Sequence, residues 1–158
     1  MNRQFARGLT MLMLVVGLAL ASAAVVNGQA GTQVTAQIPF EFSVADQTLG
    51  SGQYQVIRAN GAGDVLAIRD TGGKSHAIRL TSPVIAKDQQ ATKAKLVFHR
   101  YGSTYFLSQV WLAGRSGGLQ FAKSKQERAL EEELKKIAKN HGDLKPVYEV
   151  VEVMAATR

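Results

Sequence analysis

Three histidines, His76, His99 and His141, are the side chains here best suited to proton transfer or metal ligation. None stands in a spacing such as H-E-x-x-H, and with no cysteine in the chain a thiolate-containing zinc set cannot form. His76 and His99 fall in segments that read as strands. A weak metal or acid–base site stays open if the fold brings them together; exposed or hydrogen-bonded strand histidines are the default expectation. The run Thr71-Gly72-Gly73-Lys74-Ser75 has the ending of a phosphate-binding loop. That motif needs a glycine where Ile68 stands and a helix where a strand follows, so a hairpin turn is the better reading. Ser51, Ser103 and Ser116 lie beside glycines without a G-x-S-x-G elbow. Glu41, Asp46, Asp64 and Asp70 lie on polar faces or at strand ends, where a solvated role outweighs a glycosidase-type carboxylate pair. No cofactor motif is present, and no metal site is expected.

Tyr101, Tyr105 and Trp111 are the remaining candidates, as a ligand-binding aromatic platform. Tyr105 and Trp111 are separated by an even number of positions, so an unbroken strand would turn both to one face. If that face is open, the rings can stack on a sugar or line an apolar pocket. If it is closed they are core, which is the favoured reading.

The elements that must position these residues are mostly strands. From Gln33 to Val44, Val34, Ala36, Ile38, Phe40, Phe42 and Val44 alternate with Gln33, Thr35, Gln37, Pro39, Glu41 and Ser43. Period two predicts a strand with one buried face. Burying its large side chains contributes on the order of 10 kcal/mol. Ordering each backbone residue costs roughly 1–2 kcal/mol, so the segment needs a larger sheet. Pro39 cannot donate to a ladder and predicts an edge or a bulge. Glycine-bearing turns at 49–52, 60–63 and 71–74 divide the segments 53–59, 64–70 and 75–85, a β-meander. A polar loop at 87–93 precedes a second hairpin, 95–101 and 104–113. Several strands are apolar on both faces, which predicts a small antiparallel barrel or sandwich of about seven strands.

A helix is expected at about 124–140. Ser124 and Glu127 have capping-box spacing, and Leu130, Leu134, Ile137 and Ala138 form one apolar stripe. Glu131–Lys135 and Glu132–Lys136 are favourable i,i+4 pairs. Gly142 and Pro146 stop the helix, and 147–153 reads as a final strand.

Residues 1–30 read as a cleaved secretory signal peptide. Arg3 and Arg7 precede the apolar run Met11–Ala21, and small-residue exits follow at Ala23 and Ala30, the latter preferred. Periplasmic or extracellular location is the expectation. A retained anchor would need its apolar run extended to Val26, where Gly17, Ser22 and the alanines dilute it. Residues 31–158 then form a single β-rich domain with 17 basic against 12 acidic residues and no disulfide. The basic residues are scattered, which favours a solvated surface over specific nucleic-acid binding; loose attraction to an anionic envelope polymer is compatible with it. A transmembrane β-barrel is disfavoured, because spanning strands need about 9–11 residues with an apolar outward band.

Two stretches, 38–58 (IPFEFSVADQTLGSGQYQVIR) and 96–114 (LVFHRYGSTYFLSQVWLAG), with the following KSKQERAL, resemble small exported proteins common in Acidobacteria. There a strand, a Leu-Pro-Ala-Gly-x-Tyr turn and an aromatic hairpin recur behind a signal peptide. The likeness covers most of 36–130. Here the turn is Leu49-Gly50-Ser51-Gly52-Gln53-Tyr54, without the proline, and 131–158 is longer than the pattern. The resemblance implies export and a β-rich fold and assigns no catalytic residue. The leading expectation is therefore a non-enzymatic envelope or secreted β-domain with a binding or structural role. The alternative is a small barrel that binds an apolar or carbohydrate ligand.

Overall fold

Ten strands and one helix are built from residues 33–85, 93–140 and 147–157, the parts described by the computed structural model. The proposed signal peptide, residues 1–30, and His141 lie outside the described residues. The strands are β1 (Val34–Ile38), β2 (Phe42–Val44), β3 (Gln47–Leu49), β4 (Gly52–Arg58), β5 (Val65–Asp70), β6 (Ser75–Ile85), β7 (Lys95–Tyr101), β8 (Thr104–Trp111), β9 (Gly117–Phe121) and β10 (Glu149–Thr157). Helix α1 spans Lys125–Asn140.

Eight of these strands close into an antiparallel barrel, in the order β8-β7-β10-β1-β4-β5-β6-β9 and back to β8. The expected small barrel or sandwich of about seven strands with a helix and a final strand is thus a closed barrel of eight, with β2 and β3 added at one end. The closing seam pairs Gln109, Val110 and Trp111 of β8 with Gln120, Leu119 and Gly118 of β9. Closure removes the open edges that a sheet of this length would otherwise leave for aggregation.

An eight-stranded barrel is just wide enough for its interior to be filled by side chains. Here Val34, Ile38, Val56, Ile68, Leu96 and Phe98 point inward and are almost completely buried. The period-two segment at 33–44 buries five of its six apolar positions and half-buries Phe40, but it is not one strand. Pro39 ends β1, and the chain leaves the ladder before resuming as β2. The short β2–β3 hairpin pairs with β8 in parallel at Ser43–Phe106 and carries Phe42, Val44 and Leu49 into the core. Phe42 meets Tyr54 and Phe98 edge-on, with ring centroids 5.2 and 5.5 Å apart. The hairpin therefore plugs the barrel end at which β1 finishes and β4 begins.

The Thr71–Lys74 segment is the β5–β6 hairpin turn. Gly73 takes a positive φ of 81°, its amide donates to the Asp70 carbonyl, and the Lys74 amide donates to the Asp70 carboxylate. Helix α1 starts as its sequence predicts on one side of the capping box: the Glu127 amide donates to Ser124 Oγ at 3.0 Å. The Glu127 side chain does not reach back to Ser124; it turns toward the barrel wall. Of the two expected i,i+4 ion pairs, Glu131–Lys135 forms at 2.7 Å. Replacing Ser124 with alanine should cost about 0.5–2 kcal/mol through the lost cap. It would be read as a lower denaturant midpoint at unchanged slope.

Candidate functional site

The three aromatic candidates do not form one platform. Tyr105 points into the core and stacks on Phe40 with ring centroids 4.0 Å apart and planes 15° off parallel. Trp111 lies on the other face of β8. Its indole rests on Gly118, where a Cβ would fall 2.8 Å from the ring, and its N–H donates to Gln109 Oε1 at 2.9 Å. The even spacing fails because β8 carries a bulge. Val97 pairs with Gln109 and Phe98 with Leu107, leaving Ser108 as an extra residue that inverts the alternation. Trp111 is only 7 % exposed, so its ring is covered rather than presented.

Tyr101 is buried as well, in a polar cluster on the outside of the barrel that α1 covers. Glu127 accepts hydrogen bonds from Tyr101 at 3.3 Å and shares one with His99 Nδ1 at 2.8 Å. Tyr148 lies against the His99 ring with centroids 4.2 Å apart, and the Lys123 ammonium sits over the Tyr148 ring. Burial first, and then the Glu127 charge, push the Tyr101 hydroxyl well above its ordinary pKa. Glu131 takes salt bridges from Lys123 at 2.6 Å and from Lys135. These bonds, Lys123 first, hold the Glu131 carboxyl below its usual range. A depressed carboxyl supplies stability above its unfolded-state pKa of about 4.3 and loses it as pH falls through the lower folded value. Lys123→Gln should therefore flatten the loss of stability on acidification, which denaturant midpoints measured between neutral and acid pH will record.

His76 has a different partner. It bonds to Asp70 Oδ2 at 2.9 Å beside the β5–β6 turn, and this hydrogen bond is the main reason the Asp70 carboxyl is lowered. His76 and His99 share no partner, so the two-histidine site left open by the sequence is not assembled. Among the described residues no three His, Asp or Glu side chains are gathered as metal ligands.

What the sequence reading missed is the other end of the barrel, away from the β2–β3 plug. There β4 and β8 end and β9 begins around a pocket of about 500 Å³. Arg58 continues the inward series of Tyr54 and Val56 and so brings its side chain into this mouth. The guanidinium lies against Gly63, where a Cβ would come within 2.7 Å of Arg58 Nη1. Gly63 takes a positive φ of 76° in the β4–β5 turn, a backbone conformation that favours glycine. Arg115 enters from the loop after β8, and Val110, Leu112 and Leu119 supply apolar surface. No carboxylate lines the pocket among the described residues, and neither arginine has an ion-pair partner among them. An arginine in the inward phase, after Tyr54 and Val56 on the apolar face of β4, was the signal available for finding it.

No protein-family model matches the chain, and neither a curated protein nor a solved structure matches it.

Proposed function

We propose that this protein is an exported, non-catalytic β-barrel domain that acts by binding a small ligand at the open end of its barrel. The observation that carries the reading is the contrast between the two ends. Aromatic side chains of β2, β4, β7 and β8 and of the β1–β2 connection fill one end, while the other keeps a concavity of about 500 Å³ lined by two arginines. Pockets of roughly 300–1,000 Å³ are the usual size for small-molecule sites, and barrel mouths are a common place for them.

The absence of catalysis is inferred from where the reactive side chains go. His99 spends its Nδ1 on Glu127 beneath α1, with both side chains under a tenth exposed. His76 is engaged by Asp70 in a hairpin turn, and the neighbouring Ser75 hydroxyl accepts from Arg69. Neither histidine lines the mouth. An aqueous rather than a membrane-spanning barrel is supported by the distribution of apolar groups: they fill the interior, the inverse of the polar lumen of spanning barrels. Among the described residues no helix is long and apolar enough to cross a membrane.

Native mass spectrometry of freshly purified protein, alongside a hydrolase substrate panel, tests the reading. A noncovalent small-molecule adduct without turnover is the expected result. Turnover that disappears on replacing His99 or His76 would overturn it. N-terminal sequencing should find the secreted form beginning at Gly31; an intact Met1 in exported material would remove the cleaved-leader part of the proposal.

A further inference from the structure

We infer that the barrel mouth takes a small organic anion with an apolar body. Its acid group would be held by Arg58 and Arg115, and its body would lie against Val110, Leu112 and Leu119. The inference rests on the binding role proposed above and names the chemistry of the ligand.

Charge comes first. Two arginines line one concavity whose described lining has no acidic side chain. Guanidinium stays protonated at any working pH and offers paired N–H donors that match a carboxylate or a phosphate. A cation in the inward phase at the end of an apolar strand face bears a desolvation cost that an anionic partner offsets. Arg58 is also held in place. It is half-buried, and its side chain is laid against the backbone of Gly63, so fewer rotamers are lost when it closes on a ligand.

Shape and polarity argue for the apolar body. Val110 and Leu112 belong to the barrel core, and Leu119 packs against it from β9; all three have atoms on the pocket wall. An inorganic ion would leave that wall in water, whereas an alkyl or ring system would cover it. Gly117 keeps the passage open. It is in phase with the inward Leu119 and Phe121, and a Cβ there would make only an ordinary 3.6 Å contact with the Val84 carbonyl. A larger side chain at 117 would therefore enter the mouth without breaking the strand.

Amide NMR titration of the purified protein with decanoate, 1-decanol and decyltrimethylammonium tests the proposal. Decanoate should shift the resonances of residues 112–119 saturably and should bind more weakly as salt is raised. Arg115→Gln, an exposed loop change that leaves the core untouched, should weaken decanoate about tenfold or more through the lost charge-assisted bond. Arg58→Gln should do the same, and Gly117→Leu should abolish binding while both arginines remain. If 1-decanol binds as well as decanoate and Arg115→Gln changes nothing, the anionic assignment is wrong although a ligand-binding mouth survives. Tighter binding of decyltrimethylammonium than of decanoate overturns it equally. If no probe binds and the freshly isolated protein carries no adduct, this inference and the binding role fall together.

Discussion

Phe42→Ala should lower the stability of the barrel by about 3–5 kcal/mol, the range for emptying an aromatic core site. Phe42 is only 1 % exposed, although it stands on a strand of three residues joined to the barrel wall through one parallel pairing. The ring, rather than the ladder, holds the β2–β3 hairpin in place. It fits edge-on between Tyr54 and Phe98, and its loss leaves a void bounded by two rings that are themselves tied into β4 and β7. Neither can collapse far to fill it. Phe40 is the internal control. It is half-buried and stacks on Tyr105, so Phe40→Ala should cost clearly less. Equilibrium urea unfolding of both variants decides the matter. A Phe42→Ala protein that unfolds at the wild-type midpoint would mean that the hairpin does not plug the barrel.

The same hairpin marks the limit of what the sequence disclosed. Alternation at 33–44 reported burial correctly at five of its six apolar positions, with Phe40 half-buried, because a chain crossing the end of a barrel still has one side toward the core. It did not report that Pro39 takes the chain out of the ladder, since hydrophobic period depends on burial and not on backbone pairing. The strands β3 and β9 were not anticipated. The first has three residues, and the second opens with Gly117-Gly118, which lack the side chains a period is read from. Trp111 shows how one residue can reverse a face assignment: the bulge at Ser108 lies between two candidates whose separation was read as if the strand were regular.

Long-range partners were still less accessible. The spacing of Ser124 and Glu127 identifies the helix start because capping is local. The same Glu127 carboxylate is bonded to His99, 28 residues earlier, and nothing within either segment encodes that pairing. Arg58 is the opposite case. Its phase relative to Tyr54 and Val56 is visible in the sequence, and only the assumption that an arginine ends a strand by facing water hid its inward direction. The barrel was therefore legible through its repeated two-residue pattern, whereas the site at its mouth depends on which strand ends meet.

Glu127→Ala should be the most damaging change outside the barrel interior, with a loss of about 2–6 kcal/mol. It strands two buried polar groups, His99 Nδ1 and the Tyr101 hydroxyl, and each unsatisfied group costs about 1–3 kcal/mol. Glu127→Gln keeps an oxygen acceptor at the same reach, so it should recover much of that loss. The pair of variants also separates hydrogen bonding from charge. Tyr101 has its ionisation pushed upward by burial first and by the Glu127 and Glu131 charges next, with Tyr148 adding to them and the Lys123 ammonium nearby. A raised folded pKa gives stability that is complete below the unfolded tyrosine value of about 10 and is lost as pH rises through the folded value. Wild type should therefore weaken in alkali, as the unfolded tyrosine ionises while the native one resists. In Glu127→Gln, with one of the opposing charges gone, Tyr101 should ionise more readily in the native state and the alkaline loss should be shallower. Denaturant midpoints above pH 9, together with the tyrosinate absorbance of the folded protein, measure both quantities. Equal alkaline slopes in wild type and Glu127→Gln would mean that the Glu127 charge does not act on Tyr101.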